Sequence, residues 1–274
     1  MRMSTQGLCP DIVSPVRIIR EEMNTSLSEN RCKFGITSFV LHILAMAFML
    51  SDHLWATIIP WNAEWMTCLG RLAFPIFAFM TVEGFFHTKN IKRYAGRLLL
   101  FALISEIPFN LMMCGRVFFP LHQNVLWCFL LCIGLMSLNE KAKSTGKWWI
   151  RGLTAAGTIL LGTVVGMLSF MDYMHYGVWM VLTFYFLRGR KWWNYAGQLL
   201  LMILINKEVG GMVYQWELFG HMFEVRQQYF AVLALIPIWL YNGKQGYHSK
   251  WFQYFCYAFY PAHILILWLL MMIF

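Results

Sequence analysis

Apolar residues run through this chain in long blocks broken by short polar stretches, with little of the period-two alternation of a half-exposed strand. Blocks at 37–59, 70–86, 98–114, 124–138, 152–171, 176–188, 195–206, 229–241 and 254–274 approach or reach the ~20 residues that cross a ~30 Å hydrocarbon core. The pattern predicts an all-α fold, a polytopic transmembrane helical bundle of about nine to ten spans over residues 37–274. Residues 1–36 read as a cytosolic N-terminal tail, because Pro10, Pro15 and the run Asn24-Thr25-Ser26-Leu27-Ser28 leave no apolar core of signal-peptide type.

Composition agrees, at 59% hydrophobic and only 13% charged residues. Lys and Arg set the orientation. Alternate loops and the tail hold 18 of the 22 basic residues, while the opposite loops and span ends hold only Arg71, Arg116, Lys207 and Arg226. This predicts a multi-pass protein of a bacterial cytoplasmic (inner) membrane with its N-terminus in the cytosol. The net charge of +9 follows this one-sided distribution and no basic helix is interleaved with aromatics, so nucleic acid is not an expected partner. The seven cysteines form no C-x-x-C pair, and nothing completes a metal set around Cys128 and Cys132, so they read as packing residues.

Ionisable groups inside the apolar blocks are expensive and mark function by default. His42 and His53 are eleven positions apart in the first block, almost three helical turns, so both rings face one way about 16 Å apart along the axis. Asp52 is turned about 100° from His53, and Arg71 enters the second span at a similar depth, which favours an Asp52–Arg71 ion pair. The second block also holds Pro75, expected to kink the helix and free a carbonyl. Glu83 and His87 share a face near its end, with Gly84 allowing close approach. Lys89, Arg93 and Arg97 follow as a basic cluster, read either as ordinary positive-inside charge or as a phosphate clamp. Glu106 stands beside Pro108 and is expected to orient His53 or to neutralise Arg71. Asp172, Tyr173 and Tyr176 lie on the outer rim, and His263 follows Pro261 in the last span.

In order along the chain, Met49-Leu50-Ser51-Asp52-His53, Arg71-Leu72-Ala73-Phe74-Pro75, Val82-Glu83-Gly84-Phe85-Phe86-His87-Thr88 with Tyr94 and Arg97, Ile104-Ser105-Glu106-Ile107-Pro108, Asp172-Tyr173 with Tyr176-Gly177, Tyr241-Asn242-Gly243 and Tyr260-Pro261-Ala262-His263 resemble the TraX family. That family is named for the conjugative-plasmid protein that acetylates the N-terminus of pilin. More distantly the chain is similar to the acyltransferase-3 superfamily of membrane acyltransferases. The resemblance implies acetyl transfer from cytosolic acetyl-CoA to an amine of a pilin or other peptide, or to a hydroxyl of a glycan or lipid, in or across the bilayer. It makes His53 the general base, supported by Asp52, Glu106 and Arg71. Arg97, Arg93, Lys89, His42, Glu83 and His87 then fall on the acetyl-CoA side, and Asp172, Tyr173, Tyr176 and His263 on the acceptor side. In the family pattern the position of His42 is a lysine, so here the spacing is kept and the positive charge weakened. No metal is expected. Two other functions fit the same polar residues, a proton-coupled transporter and a non-catalytic scaffold for pilus or envelope assembly, and homo-oligomerisation stays open.

Overall fold

Every apolar block folds as helix. The structure, a computed structural model, describes residues 35–59, 63–218 and 221–273, so the expected tail lies outside the described residues except for Gly35 and Ile36. The elements are α1 (Ser38–Thr57), α2 (Glu64–Gly70), α3 (Ala73–His87), α4 (Ile91–Cys114), α5 (Leu126–Ser144), α6 (Trp148–Leu168), α7 (Met174–Phe186), α8 (Trp192–Glu208), an antiparallel hairpin β1 (Val213–Leu218) and β2 (His221–Arg226), a 3-10 helix (Gln227–Ala234) leading into α9 (Leu235–Trp239), and α10 (Lys250–Ile273). Among the described residues, Ser38–Thr57, Glu64–His87, Ile91–Cys114, Trp148–Leu168 and Lys250–Ile273 are long and apolar enough to cross a membrane. The remaining helices are shorter, as α7 and α8 with 13 and 17 residues, or end in charge, as α5 does at Glu140, Lys141 and Lys143.

Local chemistry sets the boundaries. Thr37 caps α1 through the Val40 amide, and Asn90 caps α4 by accepting from Arg93 N at 3.0 Å. Gly115 ends α4 in the left-handed conformation at φ 64°. The second apolar block is not one kinked helix. It starts earlier, at Glu64, and breaks at Arg71–Leu72, which leaves Pro75 in the first turn of α3. An N–H there has no intrahelical partner anyway, so Pro75 is accommodated rather than disruptive. The hairpin adds a strand pair to the expected all-helical fold.

Contacts between loops show which of them share an end. At one end, rich in Lys and Arg, Asn242 Nδ2 donates to Gly35 O at 3.0 Å and Arg188 meets Glu83. At the other, Gln123 bridges to Met171 and Arg226 reaches Lys207 O. Between them, α1 packs on α2, α3 and α10, α4 lies on α10 and α5, and α3 is covered by α7.

Where α6 joins the bundle, small residues do the work. Its buried positions are Thr158, Gly162 and Gly166, while Leu153, Leu160 and Leu168 are exposed. A Cβ on Gly162 would stand 2.7 Å from Val178 Cγ1, and one on Gly166 would stand 2.7 Å from His175 Cα. Lipid supplies little hydrophobic drive between helices, so close backbone approach provides the packing here.

Candidate functional site

His53 on α1 and His263 on α10, 210 residues apart in sequence, meet with Nδ1 of His53 2.8 Å from Nε2 of His263. The ring planes are within 5° of parallel and the centroids 5.0 Å apart. With nitrogens that close, the rings lie edge to edge rather than face to face. His263 Nδ1 donates to Phe259 O, one turn earlier on α10, at 2.6 Å. His263 is buried and His53 keeps partial exposure. The helices are pinned beside the pair by a cluster that includes Phe109, Ile264 and Leu267, with Met49, Leu50 and Leu54 packed against it. His263, expected on the acceptor side, is thus the direct partner of His53.

Asp52 faces away from His53 into a separate network. Arg71 forms an ion pair with it, as expected, and Thr67 Oγ1 donates to its Oδ1 at 2.5 Å. Gln227 Nε2 donates to Thr67 Oγ1 at 2.7 Å, so the 3-10 helix is tied to α2. The close fit depends on Gly70, where a Cβ would fall 2.3 Å from Asp52 Cβ. Glu106 accepts from Asn124 Nδ2 and from Trp127 Nε1, the latter at 3.1 Å. The expected contacts of Glu106 with His53 or Arg71 are therefore replaced by contacts to the start of α5, and neither Asp52 nor Glu106 hydrogen-bonds the His53 ring.

A cavity of about 690 Å³ runs from the basic end between α1, α3, α4 and α10, within the range of small-molecule and cofactor sites. Its mouth is lined by His87, Lys89 and His248, and its deep end by Met49, Phe129 and Tyr260. Met49 is one turn before His53 on α1 and Tyr260 three residues before His263 on α10, so the floor lies about one helical turn from the pair. His42, Glu83 and Gly84 also line it. His42 Nδ1 donates to Ser38 O at 2.8 Å, which leaves its Nε2 as an acceptor if the ring is neutral.

Arg97 enters this cavity flanked by Tyr94 and Tyr257, with its guanidinium carbon 5.8 and 5.9 Å from the two ring centroids. Its Nε is buried and has no hydrogen-bond partner among the described residues. Arg93 is exposed and outside the cavity lining. Glu83 meets Arg188 through two contacts, Nε to Oε1 at 2.7 Å and Nη2 to Oε2 at 3.3 Å, and His87 Nδ1 donates to Glu83 O at 2.8 Å. The pairing of Glu83 with Arg188 links α3 to the α7–α8 loop; nothing in the spacing of the two residues announces it.

At the opposite end, Asp172 Oδ1 accepts from Tyr173 N at 3.1 Å, and Tyr173 stacks on Phe74 with centroids 4.2 Å apart. Burial pushes the Asp172 carboxyl above the ordinary carboxylate range, with His122 and Arg71 pulling the other way. Tyr176 packs edge-on to Trp179. Of the three residues expected on the acceptor side here, Asp172 and Tyr173 adjoin the Arg71 network and Tyr176 serves aromatic packing. No cluster of His, Cys, Asp and Glu suited to a metal occurs among the described residues.

These features define a predominantly helical integral membrane protein with a deep cavity at its basic end and an interhelical histidine pair beyond the cavity floor. Residues 38–271 match the TraX protein family, and the chain belongs to that family. It is also 29% identical over 250 residues, covering 84% of this chain and 94% of the relative, to a protein of Dichelobacter nodosus described as "Probable fimbrial assembly protein FimC, serogroup H1". No solved structure matches this chain.

Proposed function

We propose that this chain is an acetyltransferase of pilus or fimbrial assembly in the bacterial inner membrane, taking acetyl groups from acetyl-CoA on the cytosolic side and placing them on an acceptor amine. The observation that carries the proposal is the cavity, which joins a basic mouth to a floor one turn from His53 and presents a buried, unsatisfied Arg97 Nε within. Phosphates at the mouth would meet Lys89 and Arg97, whose guanidinium suits a phosphate oxygen pair. The apolar deep wall at Met49 and Phe129 suits an acetyl-bearing arm. His42 would serve here as a polar wall residue, and Arg93 would add charge outside the mouth.

In this mechanism His53 acts as general base. The acceptor nitrogen attacks the thioester carbon, the carbon–sulfur bond breaks, and His53 carries the displaced proton from nitrogen to the departing thiolate. An amide and a free thiol result. Asp52 and Arg71 hold α1 against α2 so that His53 keeps its place. The amine acceptor is supported by family membership, by the fimbrial relative, and by the carboxylates of Asp172, Glu217 and Glu224 at the end away from the donor, which suit a cationic terminus. Nine traverses would put those carboxylates outside the cytosol, in agreement with the distribution of Lys and Arg.

Calorimetry on the detergent-purified protein tests the donor. Acetyl-CoA should bind, Arg97→Ala should weaken binding about 10- to 100-fold, as loss of a charge-assisted contact does, and His53→Ala should still bind. A folded protein that ignores both acetyl-CoA and free CoA would overturn the proposal. A scaffold role is the second reading, favoured by how fully Asp52, Arg71, Thr67 and Gln227 are engaged in tying helices together. In that case His53→Ala would leave pilus assembly intact.

A further inference from the structure

We infer that His263 is a positioning residue that locks His53 in the Nδ1–H tautomer and leaves Nε2 of His53 as the bare, proton-accepting nitrogen. The inference follows from which atoms can donate. Phe259 O only accepts, so Nδ1 of His263, 2.6 Å away, carries a hydrogen. His263 is 5% exposed and has no carboxylate partner among the described residues, a setting in which an imidazolium would be costly. A neutral ring has a single N–H, so Nε2 of His263 is a lone pair. The nitrogen facing it at 2.8 Å, Nδ1 of His53, must then be the donor. The near-coplanar rings place that hydrogen bond in the plane of both, where lone pair and N–H are directed.

The chain of donors therefore runs from His53 through His263 to a backbone carbonyl. Free histidine in water favours the opposite tautomer, so the protein imposes this one. When Nε2 of His53 takes up a proton, Nδ1–H already points at its acceptor and nothing has to turn. This is the role a carboxylate has beside a catalytic histidine, filled here by a neutral imidazole. The tautomer is independent of substrate, whereas its use as a base rests on the acetyltransfer reading.

Nitrogen-15 NMR of the histidine-labelled full chain in nanodiscs, with no ligand added, tests the tautomer. The His53 signals are assigned by their loss in His53→Gln. The expected pattern is a protonated Nδ1 and an unprotonated Nε2 on His53. His263→Gln, whose side-chain oxygen reaches the place of Nε2, should preserve it, and His263→Asn, which reaches only the place of Nδ1, should release it. His263→Leu should release it as well, and if that variant does not fold, the Gln and Asn pair decides. A wild-type His53 protonated at Nε2, or one whose pattern is the same in Gln and Asn variants, overturns the inference. If acetyl transfer is found, His263→Gln should keep turnover within about 10-fold, while His263→Asn should lose roughly 100-fold or more, in the range of general acid–base contributions. Equal turnover in the two variants would refute the positioning role. The expected tautomer in a protein that transfers no acetyl group would uphold the lock and reject the acetyltransferase.

Discussion

Removing one partner of the Asp52–Arg71 pair should cost far more than removing both. The two side chains are 18% and 22% exposed, between the surface limit, where a pair contributes ~0.2–1 kcal/mol, and the buried limit, where stranding one charge costs ~3–5 kcal/mol. Asp52→Asn leaves the guanidinium over Thr67 without its ion-paired carboxylate and should cost about 2 kcal/mol by interpolation, or about 30-fold in the unfolding equilibrium. Arg71→Gln should cost a similar amount, since Thr67 alone then faces Asp52. The double variant should recover to about 1 kcal/mol, a coupling of roughly 3 kcal/mol when compared with the two single losses. Unfolding in mixed micelles of increasing sodium dodecyl sulfate, followed by tryptophan fluorescence, measures all four proteins. Additive costs within about 0.5 kcal/mol would refute the pairing. The tautomer of His53 should be the same in all four, because Asp52 does not hydrogen-bond that ring.

At the glycine seam of α6, Gly166→Val should destabilise by about 1–3 kcal/mol in the same assay, because its Cβ meets His175 backbone. Gly157, with nothing within 4 Å, is the control, and Gly157→Ala should be neutral or slightly stabilising; equal losses at both sites would refute the close approach. His53→Gln should lower acetyl transfer about 10²- to 10⁴-fold without loss of acetyl-CoA binding, read by mass spectrometry of a pilin N-terminal peptide. Asp172 has its folded-state carboxyl raised by burial, so it favours the folded state below its ordinary value of about 3.9 and loses that contribution as pH rises through the folded value. Asp172→Asn should therefore be more stable than wild type at pH 7, with the difference vanishing near pH 3, and a pH-independent difference would refute the burial effect.

The sequence makes some of this site legible and hides the rest for identifiable reasons. Asp52 with Arg71 can be anticipated because two charges entering adjacent spans at one depth have few other partners in hydrocarbon. Counting depth fails for Glu106, whose neighbours Asn124 and Trp127 begin α5 and are neutral, so no charge pattern points to them. His53 and His263 are separated by most of the chain, and only the packing of α1 on α10 brings them together. Arg188 reads as ordinary positive-inside charge until Glu83 is seen under it. Pro75 looks like a kink because the polar start of its block, at Glu64, sits beyond the apolar window; the chain has already broken at Arg71. Tyr214-Gln215-Trp216-Glu217-Leu218 and Phe223-Glu224-Val225-Arg226 do carry a period-two alternation, a local signal of the hairpin.

The cavity floor has a consequence for the cell. Under the proposed transfer across an inner membrane that holds a proton-motive force, a protein taking donor from one side and acceptor from the other must not short-circuit it. Beyond Met49 and Tyr260 the route meets the histidine pair, and at the same level of the bundle the Asp52, Arg71, Thr67 and Gln227 network closes α1, α2 and the 3-10 helix on one another. The Asp52 carboxylate offsets the Arg71 charge, and the donors and acceptors of this layer are turned toward one another rather than toward a passage. On that reading, loosening this layer, as Gly70→Ala would by pushing Asp52 aside, would cost the membrane its energy supply as well as weaken the fold.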